Sequence, residues 1–214
     1  MTIRLFIAVV FAALAPCLSW AEVRVVDGDT LVLGGVTYRL NGIDAPEQGQ
    51  TCGTWDCGQA ATEGLAALVR NRDVRCEPIT NDGYGRVIAT CYADGTDIGA
   101  AMIDKGLAWA FLKYSDAYAP DELVSKDKAT GVFGGDFLPP WEYRSRRWKR
   151  ALAAEQSAPP GCPIKGNISR NGRIYHAPWS PWYDRTRINR KKGERWFCSE
   201  GEAIAAGWRA PFWD

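Results

Sequence analysis

Three short β-branched or alternating runs, Val23–Val26, Thr30–Leu33 and Val36–Leu40, follow one another with only Asp27-Gly28-Asp29 and Gly34-Gly35 between them. Turn residues spaced this closely make the chain begin as strands before any helix. A further strand pair is expected over Asp73–Pro78 and Arg86–Ala93, around Asn81-Asp82-Gly83-Tyr84-Gly85. Helix is predicted over Gln59–Arg70, where Ala61, Leu65, Leu68 and Val69 recur at helical spacing. Two more are expected, over Ile98–Lys105 ended by Gly106 and over Asp121–Ala129 before Gly131. Strands first, with helices interspersed and late, predict an α+β architecture: a five-stranded β-barrel with helices packed outside.

The length of 214 residues suits one domain plus a small satellite. Residues 1–21 read as a cleaved export signal, with Arg4 as its charge, Leu5–Ala15 as its apolar run and Ser19-Trp20-Ala21 as its cleavage site. That run is short for a bilayer span. Leu14-Ala15-Pro16-Cys17 loosely resembles a lipobox, but the proline beside the cysteine argues against lipidation. A secreted or periplasmic protein without stable membrane association is expected. The barrel is assigned to residues 22–140, a helical extension and linker to 141–161, and a small cysteine- and tryptophan-rich unit to 162–214.

Removing the signal leaves six cysteines: Cys52, Cys57, Cys76, Cys91, Cys162 and Cys198. An even number in an exported chain reads as disulfides. Zinc fits poorly, since His176 is the single histidine and no Cys-x-x-Cys pair exists. A net charge of +1 does not by itself announce a nucleic-acid binder. The charges divide unevenly, with 15 basic and 20 acidic residues from Glu22 to Gln156, and 10 and 5 from Ser157 onward.

Three islands carry chemistry: Asp27-Gly28-Asp29-Thr30, Arg39 to Glu47, and Asp82 to Arg86. Singly, each has an ordinary explanation. Asp-Gly-Asp is a common hairpin corner, Arg39 suits a solvated strand face, and Asp-x-Pro-Glu suits a capping loop. Together they set several carboxylates and two arginines at strand ends, where a barrel presents its loops. Hard divalent cations take carboxylates, carbonyls and water, and arginine fits the charge that accumulates on a phosphate in the transition state.

The ordered set Val26-Asp27-Gly28-Asp29-Thr30, then Tyr38-Arg39-Leu40 with Ile43-Asp44 and Pro46-Glu47, then Asp82 with Tyr84-Gly85-Arg86, resembles the staphylococcal nuclease family. The resemblance covers roughly residues 22–138. It implies an OB-type five-stranded fold and calcium-dependent cleavage of DNA and/or RNA to 3′-phosphate products. It further implies that Asp29, Asp44 and the Ala45 carbonyl hold Ca2+, that Glu47 activates water, and that Arg39 and Arg86 bind phosphate. Tyr84 and Tyr114 would meet the substrate. The family pattern has threonine at Ala45, where only the carbonyl is needed, lysine at Gly83 and a pocket tyrosine at Leu112. The last change weakens stacking, which is worth about 1–3 kcal/mol per base.

The tail from Cys162 is similar to a small sunset-type module. His176 there suits a packed, hydrogen-bonded histidine better than a ligand, while Arg185–Arg195 suits either a nucleic-acid grip or a solvated basic face. Cys76 and Cys91 lie nearly equidistant from the tip of the expected hairpin, Cys52 and Cys57 close a tight loop, and Cys162 pairs with Cys198 by remainder. A monomer is expected. The competing reading is a catalytically weak OB-fold module that binds nucleic acid or envelope polysaccharide.

Overall fold

The computed structural model describes residues 22–155 and 157–211. The expected export signal at 1–21 lies outside them. Strands β1 (Val23–Asp27), β2 (Thr30–Leu33), β3 (Val36–Leu40) and the short β4 (Ile43–Asp44) come first. Helix α1 (Cys57–Val69), strands β5 (Val74–Asn81), β6 (Val87–Ala93) and β7 (Thr96–Asp97), helix α2 (Ile98–Asp104) and strand β8 (Trp109–Ala110) follow. Then come α3 (Ala119–Asp127), α4 (Pro140–Ala154), β9 (Ile164–Ser169), β10 (Gly172–His176), β11 (Arg195–Phe197) and α5 (Glu200–Ala205).

The main sheet runs β1-β2-β3-β6-β5, with β7 added beside β6. Its one parallel pairing joins β3 to β6, placing Arg39 opposite Ile88 on one side and opposite Thr30 of β2 on the other. This is the OB-type strand order in an α+β fold. The expected barrel does not close, because no ladder links β5 back to β1 among the described residues. The outer half of β5 explains why. Glu77 to Asn81 are exposed, the register slips between Pro78 and Thr80, and proline brings no N–H to a ladder.

Leu31, Leu40, Ile43, Leu65, Ile98, Met102 and Ile103 fill the core beneath this sheet. Helix α1 turns Cys57, Ala61, Leu65 and Leu68 inward, and Asp56 caps its start by accepting from Gln59 N at 3.0 Å. Its observed span begins two residues before the expected one, because Asp56 supplies the cap.

The tail forms a separate antiparallel sheet, β10-β9-β11, over a small core of Ile164, Tyr175, Phe197, Ala203 and Trp208. Disulfides join Cys52 to Cys57, Cys76 to Cys91 and Cys162 to Cys198. Cys76 stands directly across from Cys91 in the β5–β6 register. No helix among the described residues is long and apolar enough to cross a membrane.

Candidate active site

The turn between β1 and β2 carries Asp29, which is 3% exposed. Its Oδ1 accepts from the Thr30 hydroxyl at 3.1 Å and its Oδ2 from the Ala45 N–H at 2.9 Å. Gly28 permits this approach, since a Cβ there would meet the Cβ atoms of Ala45 and Ala61, each at 2.7 Å. Asp44 is held from the other direction by the two-residue ladder of β4 with β8, where it faces Trp109. It is fully buried. Arg39 ion-pairs with Asp29 and donates to Asp44 Oδ1 at 2.8 Å, so two carboxylates from separate elements share one guanidinium.

Glu47 lies on the loop after β4. Its N–H donates to Gln50 Oε1 at 3.1 Å, and Gln50 Nε2 donates to the Leu138 carbonyl at 2.8 Å. The start of α1 packs against this loop, and a side chain at Gly58 would collide with the Glu47 carbonyl. Burial pushes the Glu47 carboxyl up to about 7, against the opposing pull of Arg144. A carboxylate poised there suits proton transfer near neutral pH.

Arg86, at the foot of β6, keeps to Asp82: Nε reaches Asp82 Oδ2 at 2.7 Å, and the backbone N–H reaches Oδ1 at 3.0 Å. Burial opposes its charge, but the Asp82 contacts outweigh burial and hold the guanidinium above its ordinary value. Arg86, Arg39 and Glu47 line one cleft of about 1660 Å³, as do Tyr84 and Tyr114. Both tyrosines are exposed, and Tyr114 meets Phe111 edge-on with centroids 5.0 Å apart. Leu112, where the family pattern has a tyrosine, is 62% exposed on the cleft rim.

One residue of this cluster was not anticipated. Arg144 of α4 donates Nη1 to Glu47 Oε1 at 2.6 Å and to Asp44 Oδ1 at 3.1 Å, while its Nη2 reaches Asp44 Oδ2 at 2.7 Å. Burial works against its charge, yet these bonds hold it above its ordinary value. The signal was present in the spacing. Trp141, Arg144, Ser145 and Trp148 fall at i, i+3, i+4 and i+7, and all four line the cleft.

The donor chemistry suits a hard cation, although no group of three or more His, Cys, Asp and Glu side chains among the described residues forms a metal cage. Asp29 Oδ2 and Asp44 Oδ2 each accept one N–H, so each retains acceptor capacity. The Ala45 carbonyl accepts no hydrogen bond among the described residues.

In the tail, His176 is buried, with Nδ1 at 3.3 Å from Ser180 Oγ and its ring edge-on to Trp182. It is a packed histidine.

The family model described as "Staphylococcal nuclease homologue" matches residues 37–130. A model described as ArfC matches residues 146–210, which include the tail. A micrococcal nuclease of Shigella flexneri is 35% identical over 149 residues, covering 59% of this chain and 83% of its own. An uncharacterized endonuclease of Escherichia coli is 33% identical over 133 residues, covering 58% and 84%. The succinoglycan biosynthesis protein ExoI of Rhizobium meliloti is 38% identical over 120 residues, covering 52% of this chain and 63% of its own length, just under two thirds. With nuclease relatives matched over more than four fifths of their length, the chain belongs to the staphylococcal nuclease family and is a phosphodiester-hydrolysing enzyme.

Proposed function

We propose that this chain is an exported, calcium-dependent nuclease that cuts DNA and/or RNA to 3′-phosphate products. One observation carries the reading above the others. Arg39 bonds both Asp29 and Asp44, so two carboxylates stand within reach of a single group on the floor of a cleft that Glu47 and Arg86 also line. Asp29, Asp44 and the Ala45 carbonyl would hold calcium, which supplies Lewis-acid stabilisation of a phosphate oxygen when bound.

Glu47 takes the proton of the attacking water. The water oxygen bonds to phosphorus, the bond from phosphorus to the 5′ oxygen breaks, and the departing oxygen takes its proton from solvent. Arg39 and Arg86 stabilise the charge that gathers on the phosphate as this happens. Tyr84 and Tyr114 contact the nucleotides beside the scissile bond. The three disulfides fit an oxidising compartment, and we assign the nuclease part to residues 22–140 and the accessory part to 162–214.

The test incubates the purified chain, without residues 1–21, with single-stranded DNA or RNA in calcium and then in chelator. Cleavage in calcium that stops in chelator is expected, with magnesium a poor substitute because it demands tighter octahedral geometry. Full cleavage in chelator would overturn the calcium reading.

A further inference from the structure

We propose that Arg144 is a positioning residue for Glu47 and that the C-terminal part of the chain acts as the brace that holds it in place. The inference rests on the nuclease reading above. Glu47 sits on a loop, and its carboxylate accepts its one side-chain hydrogen bond among the described residues from Arg144. The same guanidinium holds both oxygens of the fully buried Asp44. A planar fork that spans three carboxylate oxygens fixes their separation, which a single ammonium cannot do.

Arg144 comes from far along the chain, 97 residues after Glu47. Its helix does little to anchor itself, since only Pro140 and Ala151 of α4 are buried. Contacts at its two ends supply the anchorage. Trp141 stacks on Phe111 of the nuclease part, with centroids 5.4 Å apart and planes 14° from parallel. Towards the tail, Arg147 Nε donates to the Pro178 carbonyl at 2.8 Å and Nη2 to Asp184 Oδ2 at 3.1 Å. Trp148 packs on the tail core and faces Trp179, with centroids 6.3 Å apart. Just past the helix, Glu155 ion-pairs with Lys165 of β9, a lysine only 1% exposed. The tail therefore grips the helix within one turn of Arg144.

The experiment measures kcat and KM on single-stranded DNA in calcium for the wild type, Arg144→Ala, Arg144→Gln, Arg144→Lys and Arg147→Ala, with thermal melts alongside. Misplacing a catalytic group by about 1 Å costs on the order of 100-fold. Arg144→Ala and Arg144→Gln should therefore lower kcat by about 10- to 100-fold with KM nearly unchanged. Arg144→Lys should recover part of the loss, and Arg147→Ala should lower kcat in the same direction by a smaller factor. Terbium luminescence should show ion binding in Arg144→Ala no weaker than in the wild type, because a neighbouring cation has gone. Wild-type kcat in the soluble Arg144 variants, a loss confined to KM, or terbium binding weakened tenfold would each overturn the inference while leaving the nuclease reading intact. An inert wild type would instead remove the reading on which the inference rests.

Discussion

The Ala45 N–H donates to Asp29 Oδ2 at 2.9 Å, tying the turn after β1 to the loop after β4 across 16 residues of chain. Alanine suffices there because the backbone makes the bond. The contact explains how two sequence islands become one site, and it depends on Gly28 leaving room between Ala45 and Ala61.

Gly28→Ala should therefore damage both stability and turnover. The added methyl meets two Cβ atoms on packed elements, and overpacking of this kind costs about 1–3 kcal/mol. Thermal melts and cleavage rates of the same preparation check it. An unchanged melting temperature with full activity would show that the turn has slack the geometry does not reveal.

Arg86→Ala should lower turnover by about 100- to 1,000-fold, as expected for removing one transition-state donor. Its side chain is 32% exposed, and Asp82 keeps its hydrogen bonds from the backbone N–H groups of Tyr84 and position 86 when that side chain is removed, so stability should change little. Arg39→Ala should cost comparable activity and also stability, because it strips the charge partner from Asp29 and one of two, the other being Arg144, from the buried Asp44. Comparing melts of the two variants separates these effects.

His176 gives the stability a pH dependence. Burial, reinforced by the positive charges of Arg185 and Lys165, lowers its pKa to about 4, from an ordinary value of 6.5. The unfolded chain takes up a proton as pH falls through 6.5, whereas the folded chain does so only near 4. Stability from this group is complete above 6.5 and is lost as pH falls towards 4, by up to about 3 kcal/mol. Urea unfolding followed by tryptophan fluorescence from pH 8 to 4 should show the decline, and His176→Asn should flatten it. A slope of the same size in that variant would place the proton uptake elsewhere.

Where the structure follows local pattern, the sequence was a sound guide. Strands β2 and β3 and the buried face of α1 are where alternation and helical spacing put them, because short-range burial decides them. Asp29, Arg39 and Asp44 converge for a related reason, since tight connections leave neighbouring strands little choice of partner. Two features were not legible this way. The open edge of the sheet turns on the register slip between Pro78 and Thr80, which follows from how β5 meets β6 rather than from any window along β5 alone. Arg144 reaches Asp44 across 100 residues, a contact set by how α4 docks rather than by any local signal, although its cleft-facing stripe was visible in the spacing.

We infer that Glu47 draws a proton from water beside a cation that Asp29 and Asp44 would hold. The most direct measurement is the single-turnover rate of Glu47→Gln on single-stranded DNA in saturating calcium, with terbium binding measured on the same sample. The rate should fall at least about 100-fold below wild type, with ion binding still measurable because Asp29 and Asp44 are intact. A rate within a few-fold of wild type would contradict it.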